Sequence, residues 1–140
     1  ALTDNEATRD ILMNQPMLRE VFERGRKADL ALVSVGDLAE ANTMLAVGLI
    51  GNKDVASLRD AGVVGDICCH WIDASGATVD HPLNRRVIGL TPTDLSGIKC
   101  VVIASGGRNK VVVLRGVLRA GCAGVLVTDE MTAQALVEGD

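Results

Sequence analysis

Two hydrophobic spacings alternate along this chain of 140 residues, and each predicts its own element. From Thr3 to Asn14, an acidic start at Asp4 and Glu6 followed by Ile11 and Leu12 reads as a helix. Pro16 suits the first turn of a second helix, in which Met17, Leu18, Val21 and Phe22 share a face and Arg24, Arg26 and Lys27 close the end. The run from Asp29 to Val35 has strand length, stops at Gly36, and is expected to be the first central strand. Residues 37–51 are ambiguous: Leu38, Ala41, Leu45 and Leu49 make a helical stripe that two glycines then interrupt. Asn52 is placed as the cap of a helix from Lys53 to Ala61 that ends at Gly62.

The second half repeats the alternation. Val63 to Asp73 reads as one strand, Ala74 to Ala77 as a turn, and Val79 to Asn84 as a return along an edge, where Pro82 is tolerated. A third apolar run, Val87 to Leu90, precedes a helical turn from Thr91 to Leu95. The clearest unit follows: strand Lys99 to Ala104, tight loop Ser105 to Gly107, helix Arg108 to Ala120, strand Gly124 to Val127, and a helix from Thr128 to Glu138 capped by Thr128, with Asp129 and Glu130 in its first turn. Neither a linker nor a repeat interrupts the series, so the expectation is one α/β domain with a mainly parallel sheet.

Composition narrows the functions this fold can carry. Only Phe22 and Trp71 are aromatic, so the stacking platforms of single-strand and RNA binders are missing. The net charge of −4 works against a phosphate backbone as partner. Cys68, Cys69, Cys100 and Cys122 sit in apolar runs without C-x-x-C spacing and read as buried small hydrophobes in a reducing compartment. No apolar stretch reaches the length of a membrane span, and a cytoplasmic protein is expected.

Ligands of open parallel sheets gather beyond the carboxyl ends of the strands, here near Gly36, at Ser105-Gly106-Gly107, and at Thr128-Asp129-Glu130. The second combines glycines that allow close backbone approach, a helix start, and Lys110 as a mobile cation; together these suit an anion such as phosphate. The alternative is a loop whose glycines only make the turn and whose lysine is solvated. Gly62 and Gly65 flank Val63 and Val64 and deliver Asp66 at the start of a strongly apolar strand, where it either caps a turn or binds hydroxyls. His70 reads as a packed or surface ring and His81 as a solvated loop residue. The pair forms no metal site with any evident carboxylate, and no cofactor is expected.

Five ordered segments carry a family resemblance: ADLALVSVGDL (28–38), LRDAGVVGDI (58–67), IDASGATVDHPLNRRVIGL (72–90), VIASGGRNK (102–110) and GVLVTDEMTAQAL (124–136). They resemble the C-terminal sugar-binding domain of the SorC family of bacterial transcriptional regulators. The resemblance implies a three-layer α/β/α fold related to phosphosugar isomerases, glucosamine-phosphate deaminases and CoA transferases. It implies a phosphorylated sugar as effector, which shifts oligomeric state or DNA affinity. Gly36 then belongs to the loop lining the effector site, although the first glycine of that loop is Ser34 or Val35 here. Asp66 falls where an acidic residue meets sugar hydroxyls and Lys110 where a lysine reaches phosphate, with Ser105, Gly106 and Gly107 as the neighbouring loop.

Such regulators also carry a helix-turn-helix and a first effector half with its own glycine- and threonine-rich loop, and neither is found in these 140 residues. The expectation is therefore a partial effector domain over residues 1–140, touching DNA only through a missing domain and associating with itself to hide exposed surface. A small isomerase or deaminase on the same fold is the competing expectation. It would have to use Asp66 as its base without a visible partner acid.

Overall fold

A computed structural model describes residues 1–38 and 43–139. The chain opens with α1 (Glu6–Met13), where the Asn5 side chain accepts the Thr8 N–H at 2.9 Å, and α2 (Pro16–Arg26), entered through Pro16 as expected. β1 covers Leu30–Val33 and β2 covers Val35–Asp37, so the expected strand from Asp29 to Val35 is divided at Ser34. The division matters because the two pieces join different sheets. β1 pairs in parallel with β5 (Cys100–Ala104), which pairs in parallel with β6 (Val125–Val127). β5 rather than β1 is thus the central strand of the order β1-β5-β6.

β2 runs antiparallel to β3 (Gly65–Ile67), which turns back on β4 (His70–Ile72). The expected strand from Val63 to Asp73 is therefore a hairpin. Its two-residue turn is Cys68-Cys69, both left-handed with φ of 52° and 67°, a geometry that matches the twist of the strands on either side. The expected edge return is reduced to a bridge between Ile72 and Thr78. Beyond it the Asn84 side chain replaces a strand: its Oδ1 accepts the Trp71 N–H at 2.7 Å, while its Nδ2 donates to the carbonyls of Trp71 and Val79.

Of the ambiguous stretch, α3 (Thr43–Ala46) is helical, whereas Ala41 lies outside the described residues. α4 (Asn52–Asp60) is capped by Gly51 rather than Asn52: Asp54 reaches back to accept the Gly51 N–H at 2.8 Å. α5 (Pro92–Ser96) has the reciprocal bonds between Thr91 and Asp94 that define a capping box. After a 3-10 turn at Arg108–Lys110 come α6 (Val111–Arg119) and α7 (Glu130–Glu138). The cap of α7 is Asp129, not Thr128, because the Asp129 carboxylate takes the Thr132 N–H at 2.9 Å.

One core lies between the parallel sheet, the hairpin, α5 and α6, and is built on Ile67, Ile72, Leu95, Ile103, Val113, Leu114 and Val117, with Leu136 of α7 packed against it. A second surrounds Trp71, with Val55, Leu58 and Leu83. The parallel sheet meets the first core through Ala31, Val33, Val101, Ile103 and Leu126 only. Its other face holds Leu30, Leu32, Val125 and Val127, all exposed.

Candidate functional site

The sequence contains the tripeptide Val-Gly-Asp twice, at 35–37 and at 64–66, and the antiparallel register sets Gly36 opposite Asp66 and Asp37 opposite Gly65. The absence of a side chain at Gly36 is a requirement of space: a Cβ there would stand 2.0 Å from Asp66 Oδ1. Asp66 lies over this bare backbone, 6% exposed, and its Oδ2 accepts the Cys69 N–H at 3.1 Å. It therefore fastens the strained cysteine turn, as a turn-capping aspartate does, and also faces a cleft. Burial pushes its carboxyl up to about 6; the Cys69 N–H and the Lys110 charge act against that rise, and the charge of Asp37 adds to it.

The cleft has a volume of about 440 Å³. β2 supplies Val35, Gly36 and Asp37, β3 and its turn supply Asp66 and Cys69, α3 supplies Thr43, and the 3-10 turn before α6 supplies Asn109 and Lys110. Asn109 Nδ2 donates to Asp37 Oδ2, and the Lys110 ammonium donates to the Val35 carbonyl. Lys110 is thus held at the cleft wall and is not the mobile cation expected from the sequence. The walls offer two buried carboxylates, an amide and an ammonium, all able to exchange hydrogen bonds with hydroxyl groups.

Gly36, Asp66 and Lys110 are brought together here, while Ser105, Gly106 and Gly107 stand outside the cleft lining. That loop is tied to α7. The Gly107 N–H donates to Asp129 Oδ2 at 2.9 Å and to Thr132 Oγ1 at 2.8 Å, and a Cβ on Gly106 would stand 2.2 Å from Asp129 Oδ2. The Ser105 N–H continues the β5–β6 ladder to the Val127 carbonyl at 3.0 Å. An internal carboxylate therefore takes the place where the loop was expected to receive an anion. Hydrogen bonds from Thr132 hold the Asp129 carboxyl below its ordinary value.

Other expectations shift as well. His81 is buried rather than solvated, with Nε2 3.0 Å from Ser57 Oγ and Nδ1 accepting the Leu83 N–H. His70 is buried, burial pushes its pKa down, and its Nδ1 has no partner among the described residues. Of the cysteines only Cys122 is buried; Cys68, Cys69 and Cys100 are half-buried, and all four are free thiols. Asp37 and Asn109 were missed in the sequence, although the repeated Val-Gly-Asp was a signal for the first. Among the described residues no helix is long and apolar enough to cross a membrane.

An α/β domain with a polar cleft beside its parallel strands defines a class of small-molecule-binding domains. The family model described as "Putative sugar-binding domain" matches residues 1–138, and the chain belongs to that family. The chain is 31% identical over 134 residues to the deoxyribonucleoside regulator of Bacillus subtilis (strain 168), covering 96% of itself and 42% of that protein. It is likewise 31% identical over 129 residues to the erythritol catabolism regulatory protein EryD of Brucella abortus (strain 2308), covering 92% and 40%.

A solved DeoR family transcriptional regulator from Listeria monocytogenes superposes with a TM-score of 0.93 at 32% identity, over 97% of this chain and 55% of the other. The full-length sorbitol operon regulator SorC from Klebsiella pneumoniae gives 0.88 at 25% identity, over 98% and 44%. The resemblance to SorC regulators stands. The chain spans about two fifths of the length of these curated relatives.

Proposed function

We propose that this chain is the effector-binding part of a sugar-responsive transcriptional regulator, and that the sugar lies in the cleft between β2, β3 and the Asn109–Lys110 turn. The observation that carries this reading is the buried carboxylate of Asp66, laid over Gly36 at the wall of an open polar cleft in a domain of the sugar-binding family. A desolvated carboxylate is costly unless it meets donors, and ligand hydroxyls supply them. The names of the similar regulators, which refer to deoxyribonucleosides, erythritol and sorbitol, point to small polyhydroxylated molecules.

The effector is a phosphorylated sugar: its hydroxyls meet Asp66 and Asp37, and its phosphate meets Lys110, the cation of the cleft lining. DNA contact belongs to a separate helix-turn-helix domain of the regulator. The bare face of the parallel sheet receives a further layer in a chain of regulator length.

Calorimetry with free sugars, polyols, their phosphates and inorganic phosphate tests this reading, with a turnover assay on the same samples. Binding without product is expected, tightest for a sugar phosphate. Lys110→Ala should weaken the phosphorylated ligand about tenfold, the weight of one charge-assisted hydrogen bond, and the free sugar much less. Isomerised product or released ammonia would replace the regulator reading with an enzymatic one. Equal affinity for a sugar and its phosphate would remove the phosphate from the proposal.

A further inference from the structure

Two consecutive residues of the 3-10 turn before α6 reach the same strand. Lys110 donates to the Val35 carbonyl and Asn109 to the Asp37 carboxylate, so β2 is held on both sides of Gly36. Over Gly36 itself lies the Asp66 carboxylate, brought there by β3. The polar wall of the cleft is therefore a row along β2: an ammonium at Val35, one carboxylate at Gly36 and a second at Asp37. Successive residues of a strand rise about 3.3 Å, which sets the spacing of that row. The two carboxylates are near enough for the charge of Asp37 to add to the rise of the Asp66 pKa.

Asn109 is exposed and belongs to neither core, yet its amide is turned one way. Nδ2 meets Asp37, and Oδ1 lies toward Gly107, where a Cβ would stand 2.8 Å from it. The reversed amide would set an oxygen against the carboxylate, acceptor against acceptor. Both glycines of the loop thus make room for a polar side chain: Gly106 for Asp129 and Gly107, at a φ of 107°, for Asn109. Asp37 in turn is 7% exposed, at the last residue of β2 and opposite Gly65. A buried carboxylate needs hydrogen-bond donors, and a site built around a ligand hydroxyl rejects the analogue that lacks it. Two such carboxylates one strand residue apart therefore call for two neighbouring hydroxyls.

We propose that Asn109 is a positioning residue that sets the specificity of the cleft: by holding Asp37 beside Asp66, it selects phosphorylated sugars with two adjacent hydroxyls over their deoxy analogues. This rests on the sugar-phosphate reading of the cleft and adds to it which sugars are admitted. Lys110 and Asn109 then divide the work of one turn, the lysine meeting the phosphate and the asparagine fixing the group that reads the hydroxyls.

Calorimetry on the 140-residue chain tests the proposal, with ribose 5-phosphate and glucose 6-phosphate, their 2-deoxy and 3-deoxy analogues, and the free sugars. At least one deoxy analogue is expected to bind about tenfold more weakly than its parent, the cost of an unmet buried acceptor. Asn109→Ala should weaken the parent about tenfold and leave that analogue unchanged, bringing the two level. The ratio between a phosphorylated sugar and its free form, which reads Lys110, should stay as in wild type. In an Asp37→Asn background, Asn109→Ala should change the parent-to-deoxy ratio no further, because Asn109 acts through Asp37. Asn109 is exposed and Asp37→Asn keeps the shape of the side chain; circular dichroism checks that each variant is folded. Deoxy analogues that bind as tightly as their parents overturn the proposal. So does a ratio that survives Asn109→Ala, or an effect of Asn109→Ala that persists in the Asp37→Asn background. Binding without discrimination between hydroxyl and deoxy ligands removes this inference alone, whereas a chain that binds none of the sugars or phosphates removes the reading of the cleft and this inference with it.

Discussion

On one face of the parallel sheet Ala31, Val33, Val101, Ile103 and Leu126 pack against α5, α6 and the hairpin; on the other, Leu30, Leu32, Val125 and Val127 point outward from the same strands. The side chains are of the same kind, and the alternation of a strand places them in register across the sheet: Leu32 is level with Val102, and Val102 with Val125. Strands that are apolar at every position are the mark of a sheet buried on both faces. These strands have that mark, but the described residues cover one face. The apolar pattern of these strands thus extends beyond what the described residues bury.

The largest effect should come from the covered face. Ile103 is fully buried in the first core, and Ile103→Ala leaves a cavity among Leu114, Val113 and their neighbours. A loss of about 3 kcal/mol is expected, read as a lower urea midpoint with an unchanged slope. A loss under about 1 kcal/mol would mean that this face repacks freely and that the difference between the faces is smaller than their burial implies.

Asp66 sharpens the comparison, because it places a charge where the covered side otherwise buries apolar groups. Its carboxyl rises from 3.8 in the unfolded chain to about 6 in the fold, so the folded state holds the proton more tightly. The stabilisation from that proton is complete below pH 4 and is lost as the pH rises through 6. Asp66→Asn keeps an acceptor for the Cys69 N–H and removes the charge. The variant should be more stable than wild type at pH 8 by on the order of 2 kcal/mol, and equal to it near pH 4. Thermal melts at the two pH values check this, and a variant less stable at pH 8 would show that the cleft favours the charge.

How much of this was legible in the sequence depended on whether local signals decided the outcome. The strands near Lys99–Ala104 and Gly124–Val127 and the Ser105–Gly107 turn were read correctly because apolar runs and glycines mark them, whereas the apolar run Asp29–Val35 hid the break at Ser34 and the edge position of β1. The hairpin was not, because Cys68 and Cys69 adopt left-handed angles that glycine or asparagine normally announces, and the bond from Asp66 that fastens them is invisible in a linear pattern. The loop before Lys110 has the composition of an anion site. That Asp129, from the next βα unit, already fills it is a fact of tertiary structure. Of the cleft, Gly36, Asp66 and Lys110 were named, while Asp37 and Asn109 emerge only once β2 leaves the first sheet to pair with β3.

The smallest effect belongs to the bare face, and it separates two accounts of that face. Leu32 is 67% exposed, so truncating it in this chain removes little buried area, and Leu32→Ala should change the unfolding free energy by under about 0.5 kcal/mol. Were the same face covered by a further layer, each such side chain would be worth roughly 1.5–3 kcal/mol, and the substitution would cost several times more. The informative experiment is therefore the same substitution made twice, in the 140-residue chain and in a chain of regulator length, with both unfolded in urea. A large loss in the longer chain beside a negligible one here would show that the second face is completed from outside these residues. Equal small losses would show that the face remains open to solvent, and its apolar strands would then need another explanation.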